Sequence, residues 1–175
     1  MSVSLYHCGC SGGTGGTVNY NEELLNVIGI EDCRISEIIV HSGDVVDSIA
    51  VSYVDSNDNP LGTFKIGGNG GSMSTIQLQK NVYIKGIWGC SENKLGFLQF
   101  EYSDNTIPVI SYGSTINDLD LFTYNAPAGF LIIGFWGAEG DKIDRIGVIL
   151  RRIPDEQITK RVFQGIFFDR GQGNK

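Results

Sequence analysis

The chain has 175 residues, 41% of them hydrophobic and only 19% charged, with a formal net charge of −7. Those values suit one domain with a sizeable core. They exclude a highly charged disordered chain and a phosphate-tracking nucleic-acid binder, which needs a basic face. Glycine is the outlier at 24 residues, about twice average usage and without a collagen-like period, which implies many tight turns between short strands.

From the amino terminus, residues 1–8 show neither a basic n-region nor an apolar h-region, so a cytoplasmic location is expected. His7, Cys8 and Cys10 resemble the start of a metal site, yet no second ligand pair follows; neither metal nor cofactor is expected. With Cys33 and Cys90 these cysteines are expected as free thiols. Asn21 to Ile28 fits either two helical turns or a loop and strand. Strand-like runs follow at Ile35–Val40, Ser48–Tyr53, Thr75–Leu78, Val82–Trp88, Gly96–Tyr102, Gly129–Trp136 and Ile146–Leu150, each rich in β-branched or aromatic residues and bounded by Gly, Asn, Asp or Ser. The longest apolar stretch, Ala128–Trp136, has nine residues and two glycines, well short of the ~20 that span a bilayer as a helix. The pattern predicts an all-β domain without membrane insertion.

Self-similarity is the informative signal. Gly43-Asp44-Val45-Val46-Asp47-Ser48-Ile49-Ala50-Val51 aligns with Gly140-Asp141-Lys142-Ile143-Asp144-Arg145-Ile146-Gly147-Val148, identical at five of nine positions and 97 residues apart. Ile84-Lys85-Gly86-Ile87-Trp88-Gly89 aligns with Ile132-Ile133-Gly134-Phe135-Trp136-Gly137 at an offset of 48. The unit is therefore about 48 residues, repeated three times, which implies pseudo-threefold symmetry with a four-stranded sheet per unit. A glycine loop, Gly12-Gly13-Thr14-Gly15-Gly16, recurs as Gly67-Gly68-Asn69-Gly70-Gly71, with a worn copy at Tyr112-Gly113-Ser114.

A Gly-x-x-x-Asp spacing alone arises easily by chance and is equally compatible with aspartates that cap turns. Its duplication beside two glycine loops carries more. A carboxylate at Asp47 or Asp144 accepts hydrogen bonds from neighbouring hydroxyls, and a tight turn from Gly43 or Gly140 aims backbone N–H groups at the same point. A loop without Cβ atoms lets a ligand approach the backbone. That combination of donors and a two-pronged acceptor suits a polyol such as a sugar ring.

In that order and spacing, the residues resemble the jacalin-related lectins, in particular the mannose-binding branch. The resemblance rests on Gly12–Thr17, Ile38–Asp47, Gly67–Gly71, Val82–Ile84, Leu95–Phe100, Ile133–Gly137 and Asp144–Val148, and runs from about Gly12 to Leu150. It implies a β-prism of three four-stranded Greek-key sheets, with residues 1–150 forming the lectin domain. It also implies a metal-independent sugar site of Gly16 with Asp141, Lys142, Ile143 and Asp144, in which Asp144 binds two ring hydroxyls and the backbone of Lys142 and Ile143 donates. A second site would comprise Gly71 with Asp44, Val45 and Asp47. The third position reads Gly89-Cys90-Ser91-Glu92-Asn93, with Asn93 where the aspartate belongs, and no strong binding is expected there. Galactose-preferring members of that family are cleaved to expose an amino-terminal glycine at the site; residues precede Gly12 here, so the resemblance implies a preference for mannose or glucose. The expected partners are mannose- and glucose-containing glycans, and weak sites imply a homo-oligomer for avidity.

Residues 151–175 form an extension carrying six basic and three acidic residues. Its Val162-Phe163 and Ile166-Phe167-Phe168 are too apolar for a purely solvated tail, and packing on the prism or on another subunit are both open. Asp55, Asn57 and Asn59 mimic a calcium loop, but Pro60 stands where glycine is required and Ile66 where glutamate is; a turn is expected. His7 and His41 are the only histidines, and His41 is read as a pocket rim. Trp88 and Trp136 are read as core or prism-end packing. The aspartates of the two loops lie on different repeats, too far apart for a glycosidase pair, so no enzyme is expected. The competing reading is a protein-interaction or assembly scaffold with vestigial sugar loops.

Overall fold

The computed structural model describes residues 4–153 except 115, 118 and 119. The extension's apolar clusters therefore lie outside the described residues. Runs of Ile, Val, Phe and Tyr form the long strands β3 (Arg34–Ser42), β4 (Val46–Val54), β7 (Ile84–Ser91), β8 (Leu95–Tyr102), β11 (Phe130–Glu139) and β12 (Ile143–Arg152). These pair as three antiparallel hairpins, and each hairpin is flanked by two shorter strands.

In the first sheet the order is β1 (Leu5–Gly12), β12, β11, β2 (Thr17–Tyr20); in the second it is β5 (Pro60–Gly67), β4, β3, β6 (Ser72–Gln77); in the third it is β9 (Ser111–Tyr112), β8, β7, β10 (Leu121–Asn125). A single residue pair, Ile132 with Ile84, joins the first sheet to the third. The three sheets share one strand arrangement, the first being assembled from β1, β2, β11 and β12 and the other two from consecutive strands, and they form the three sides of a prism, the fold the sequence led us to expect.

The inward faces make one core. Ile38, Val40, Ile49, Val51 and Ile66 come from the second sheet, Ile84, Ile87, Leu98 and Phe100 from the third, and Phe135, Ile146 and Val148 from the first. Burial of each such side chain is worth about 1.5–3 kcal/mol. Aromatic rings close the seams between sheets: Phe100 meets Phe135 edge-on at 6.1 Å. The Tyr53 hydroxyl, fully buried, lies 2.6 Å from Asn21 Oδ1 and 2.7 Å from the Ile133 carbonyl. Burial pushes the Tyr53 phenol well above its ordinary range.

The segment left open between helix and strand is helix α1 (Glu22–Ile28). Glu22 and Glu23 in its first turn suit the positive end of the helix dipole, Leu25 is buried, and Gly29 at φ +88 ends it. Asn21 sits at the cap position but makes no side-chain cap bond, because its carboxamide oxygen receives Tyr53 instead. Five strands went unread in the sequence, and all five (β1, β2, β5, β9, β10) are outer strands with a half-exposed pattern. The Asp55 segment is a turn between β4 and β5. Asp55 Oδ1 accepts from the Asn57 and Asn59 amides at 2.8 and 2.9 Å, and Oδ2 from the Asn59 side chain at 2.9 Å. Trp88 departs from the core reading, being 38% exposed; Trp136 is half-buried, packs against the core and stacks on Tyr20 at 5.7 Å.

Candidate functional site

The three hairpins turn in the same way at one end of the prism. Ser42 pairs with Val46 around Gly43-Asp44-Val45, Glu139 with Ile143 around Gly140-Asp141-Lys142, and Ser91 with Leu95 around Glu92-Asn93-Lys94. The next registered pairs are His41 with Ser48, Ala138 with Arg145, and Cys90 with Phe97. One residue per hairpin is thus left over as a β-bulge: Asp47, Asp144 and Gly96. A bulge bends its strand and re-aims the extra side chain. This device turns two carboxylates toward the prism end.

Both carboxylates are sunk under glycine backbone. Asp144 is only 4% exposed and Asp47 5%. Gly16, at φ +78, is placed so that a Cβ would stand 2.5 Å from Asp144 Oδ2; Gly71, at φ +71, has the same relation to Asp47 Oδ2 at 2.6 Å. Side chains rarely adopt that backbone conformation, and here there is no room for one. The loops are tied back by their own strands: the Gly13 amide donates to the Asp144 carbonyl at 2.9 Å and the Gly68 amide to the Asp47 carbonyl at 3.0 Å. The result is two nearly buried carboxylates, each lying against bare glycine backbone.

Of the residues expected at the first site, Gly16 and Asp144 are brought together directly. Ile143 is fully buried, so only its backbone is open to a role, and the Lys142 carbonyl is taken by the Gly140 amide at 3.0 Å. Asp141 turns its backbone to the neighbouring repeat, where a Cβ on Gly68 would lie 2.0 Å from its carbonyl oxygen. At the second site Gly71 and Asp47 are together and Val45 is half-buried beside them, its carbonyl accepting from the Gly43 amide at 3.0 Å. Asp44 is exposed, with its carbonyl accepting from the Ser114 amide at 3.0 Å. Each hairpin loop therefore serves its own cleft and braces the glycine loop of the next repeat.

Comparison with known proteins bears on the family and the fold. The sequence model of the family described as "Jacalin-like lectin domain" matches residues 8–149. The chain belongs to that family. Among solved structures this lectin domain is similar to Malaysian banana lectin, with a TM-score of 0.69 and 24% identity over 85% of this chain and 99% of that one. It is also similar to a mannose-binding jacalin-related lectin from Ananas comosus, with a TM-score of 0.65 and 24% identity over 85% and 98% of the two chains. Artocarpin, solved as a mannotriose complex, matches with a TM-score of 0.65 and 20% identity over 83% and 96%.

The third position of this jacalin-like domain needs a correction. The residue level with Asp47 and Asp144 is Gly96, not Asn93; Asn93 is in the loop, level with Asp44 and Asp141. A Cβ on Gly113 would stand 2.2 Å from the Gly96 carbonyl oxygen, as one on Gly12 would from Asp144 and one on Gly67, at 2.1 Å, from Asp47. Aligning on Gly89 shifted the frame, whereas the 48-residue offset of the tryptophan strands, carried through, leads to Gly96. The bulge there carries no side chain. Val45, Cys90, Glu92, Asn93, Lys94 and Gly96 instead line an open cleft of about 210 Å³.

Three charged residues at the clefts escaped the sequence reading. Lys94, from the third hairpin, forms an ion pair with Asp144 Oδ1. Arg145 donates to the Gly13 and Gly15 carbonyls at 3.2 and 3.0 Å, clamping the first glycine loop. Glu139 Oε2 accepts from the Gly67 amide, and Oε1 from the Asn19 side chain at 2.8 Å. Arg145 was legible as the residue after the aspartate; Lys94 and Glu139 reach across repeats, which no local motif records. Cys10, on β1 below the first loop, has its thiol pushed up by burial, against the lowering charge of Arg145.

Proposed function

We propose that this protein is a non-catalytic lectin that binds mannose- and glucose-type glycans at two metal-independent sites, one at Asp144 with Gly16 and one at Asp47 with Gly71. The observation that carries the reading is the pair of bulged, nearly buried carboxylates, each facing a glycine loop with no space for a Cβ. Such a carboxylate accepts two hydroxyl hydrogens at once, and hydrogen bonds to an ionised acceptor are about twice as strong as neutral ones. The glycine backbone admits the ring close to the chain. Family membership supports the reading, as do the mannose-binding lectin from Ananas comosus and the artocarpin–mannotriose complex, which share the fold.

Small open clefts of this kind bind single sugars weakly, so avidity from two sites and from self-association would multiply the effect on a branched glycan. Calorimetric titration with methyl α-mannoside, with methyl α-galactoside as control, tests the proposal. Two mannoside sites per chain are expected, one after either Asp47→Ala or Asp144→Ala, and none in the double variant while it remains folded. Heat from neither sugar at millimolar concentration, in a folded protein, would reject it.

A further inference from the structure

The two candidate sites differ in one respect that the motif does not contain. At the first, Lys94 arrives from the third repeat and pairs with Asp144 Oδ1; its side chain is 43% exposed against 6% for that of Asp144. At the second, no Lys or Arg lies within ion-pair distance of Asp47 among the described residues. Lys65, on β5 leading into the second glycine loop, is engaged by Asn69 Oδ1 at 2.5 Å. Arg145 adds a second positive charge at the first loop, where the second repeat has the neutral Ser48.

We propose that Lys94 is a specificity-determining residue of the first site, and that this site selects hexoses with a carboxylate or phosphate on the exocyclic carbon, while the second site takes neutral hexoses. The proposal rests on the lectin reading above. With one oxygen of Asp144 held by the ammonium, the cleft offers one acceptor, Oδ2, and one strong cationic donor, Lys94 Nζ. A neutral hexose must share Oδ1 with the lysine or displace it. A hexose that donates one ring hydroxyl to Oδ2 and places an anion beside Lys94 satisfies both groups. The exocyclic carbon is where a hexose becomes anionic by oxidation or phosphorylation while its ring hydroxyls stay free. At the second site the same anion would meet the unpaired charge of Asp47 and be repelled.

The test isolates the sites in the full chain, Asp47→Ala leaving the first and Asp144→Ala the second. Each is titrated with methyl α-mannoside, mannose 6-phosphate and inorganic phosphate. The Asp47→Ala protein is expected to bind the sugar phosphate about tenfold more tightly than the neutral sugar at low salt, the scale of one charge-assisted hydrogen bond, with the advantage shrinking as salt rises. Adding Lys94→Met should remove the advantage while neutral-sugar binding persists, which also shows that the cleft is still formed. Lys94→Gln, which keeps a donor without the charge, should behave as the methionine variant does. The Asp144→Ala protein should bind only the neutral sugar. An unchanged sugar-phosphate to mannoside ratio in both Lys94 variants overturns the inference, as does inorganic phosphate binding as well as the sugar phosphate. Equal mannoside binding at both sites with no preference for the phosphate removes this inference and leaves the lectin reading standing; no sugar binding at all removes both.

Discussion

The first and second clefts are built from near-copies of one sequence, yet they are held in different ways. The first glycine loop is clamped by Arg145 through two carbonyls, and its carboxylate is paired with Lys94. In the second repeat Ser48 replaces Arg145, its hydroxyl buried without a partner among the described residues, and the loop is held instead by the Gly67 amide on Glu139 and by the exposed Lys65–Asn69 contact. The lesson is that a duplicated motif conserves the acceptor and its bulge, while charge and rigidity are set by residues around it, some of them from another repeat.

The comparison is broken most completely at the glycines. Gly16→Val should abolish the first site and leave the second, because a side chain at φ +78 costs about 1–2 kcal/mol and its Cβ would stand 2.5 Å from Asp144 Oδ2. Site-resolved titration would show one remaining site, and Gly71→Val should give the mirror result.

Next in size is Arg145→Ala. Losing the charge-assisted bonds to Gly13 and Gly15 should destabilise the protein by about 1–2 kcal/mol and speed amide exchange in residues 13–16 but not in 68–71. Equal exchange in both loops would show that the clamp does not distinguish them. Lys65→Met, by contrast, should cost at most about 0.5 kcal/mol in urea unfolding, since exposed polar pairs contribute little.

The smallest effect belongs to the turn that leads the second repeat into β5. Hydrogen bonds from Asn59 hold the exposed Asp55 carboxyl below the ordinary aspartate range. A depressed carboxylate contributes its stability above the pKa of the unfolded chain and loses it as pH falls through the folded value. NMR titration should therefore place the Asp55 midpoint lower than that of a free aspartate, and Asn59→Ala should move it up. An unmoved midpoint would remove those hydrogen bonds as the cause.

Much of this was legible in the chain. The long inner strands announce themselves because large apolar residues recur at core-facing positions, as Ile49, Val51 and Tyr53 do in β4 and Leu131, Ile133 and Phe135 do in β11. The outer strands are half exposed, and in β1 glycine and cysteine dilute the alternation, so Leu5–Gly12 does not read as a strand. Gly16, Gly71, Asp47 and Asp144 were identifiable because each acts through its own loop or bulge. Asn93 was misassigned because Gly89 is level with Gly137, not with the loop glycine Gly140, whose place is taken by Glu92.

By itself the sequence determined the threefold repeat, the prism and the two carboxylate–glycine pairs, since all of these are encoded within single units about 48 residues long. Only the tertiary structure decided that Lys94 sits on Asp144, that Glu139 holds the second glycine loop, and that Asp141 and Asp44 brace their neighbours. Those contacts join different repeats at the prism end. Closing three sheets around one axis brings them within hydrogen-bond reach, and no spacing along the chain encodes that closure.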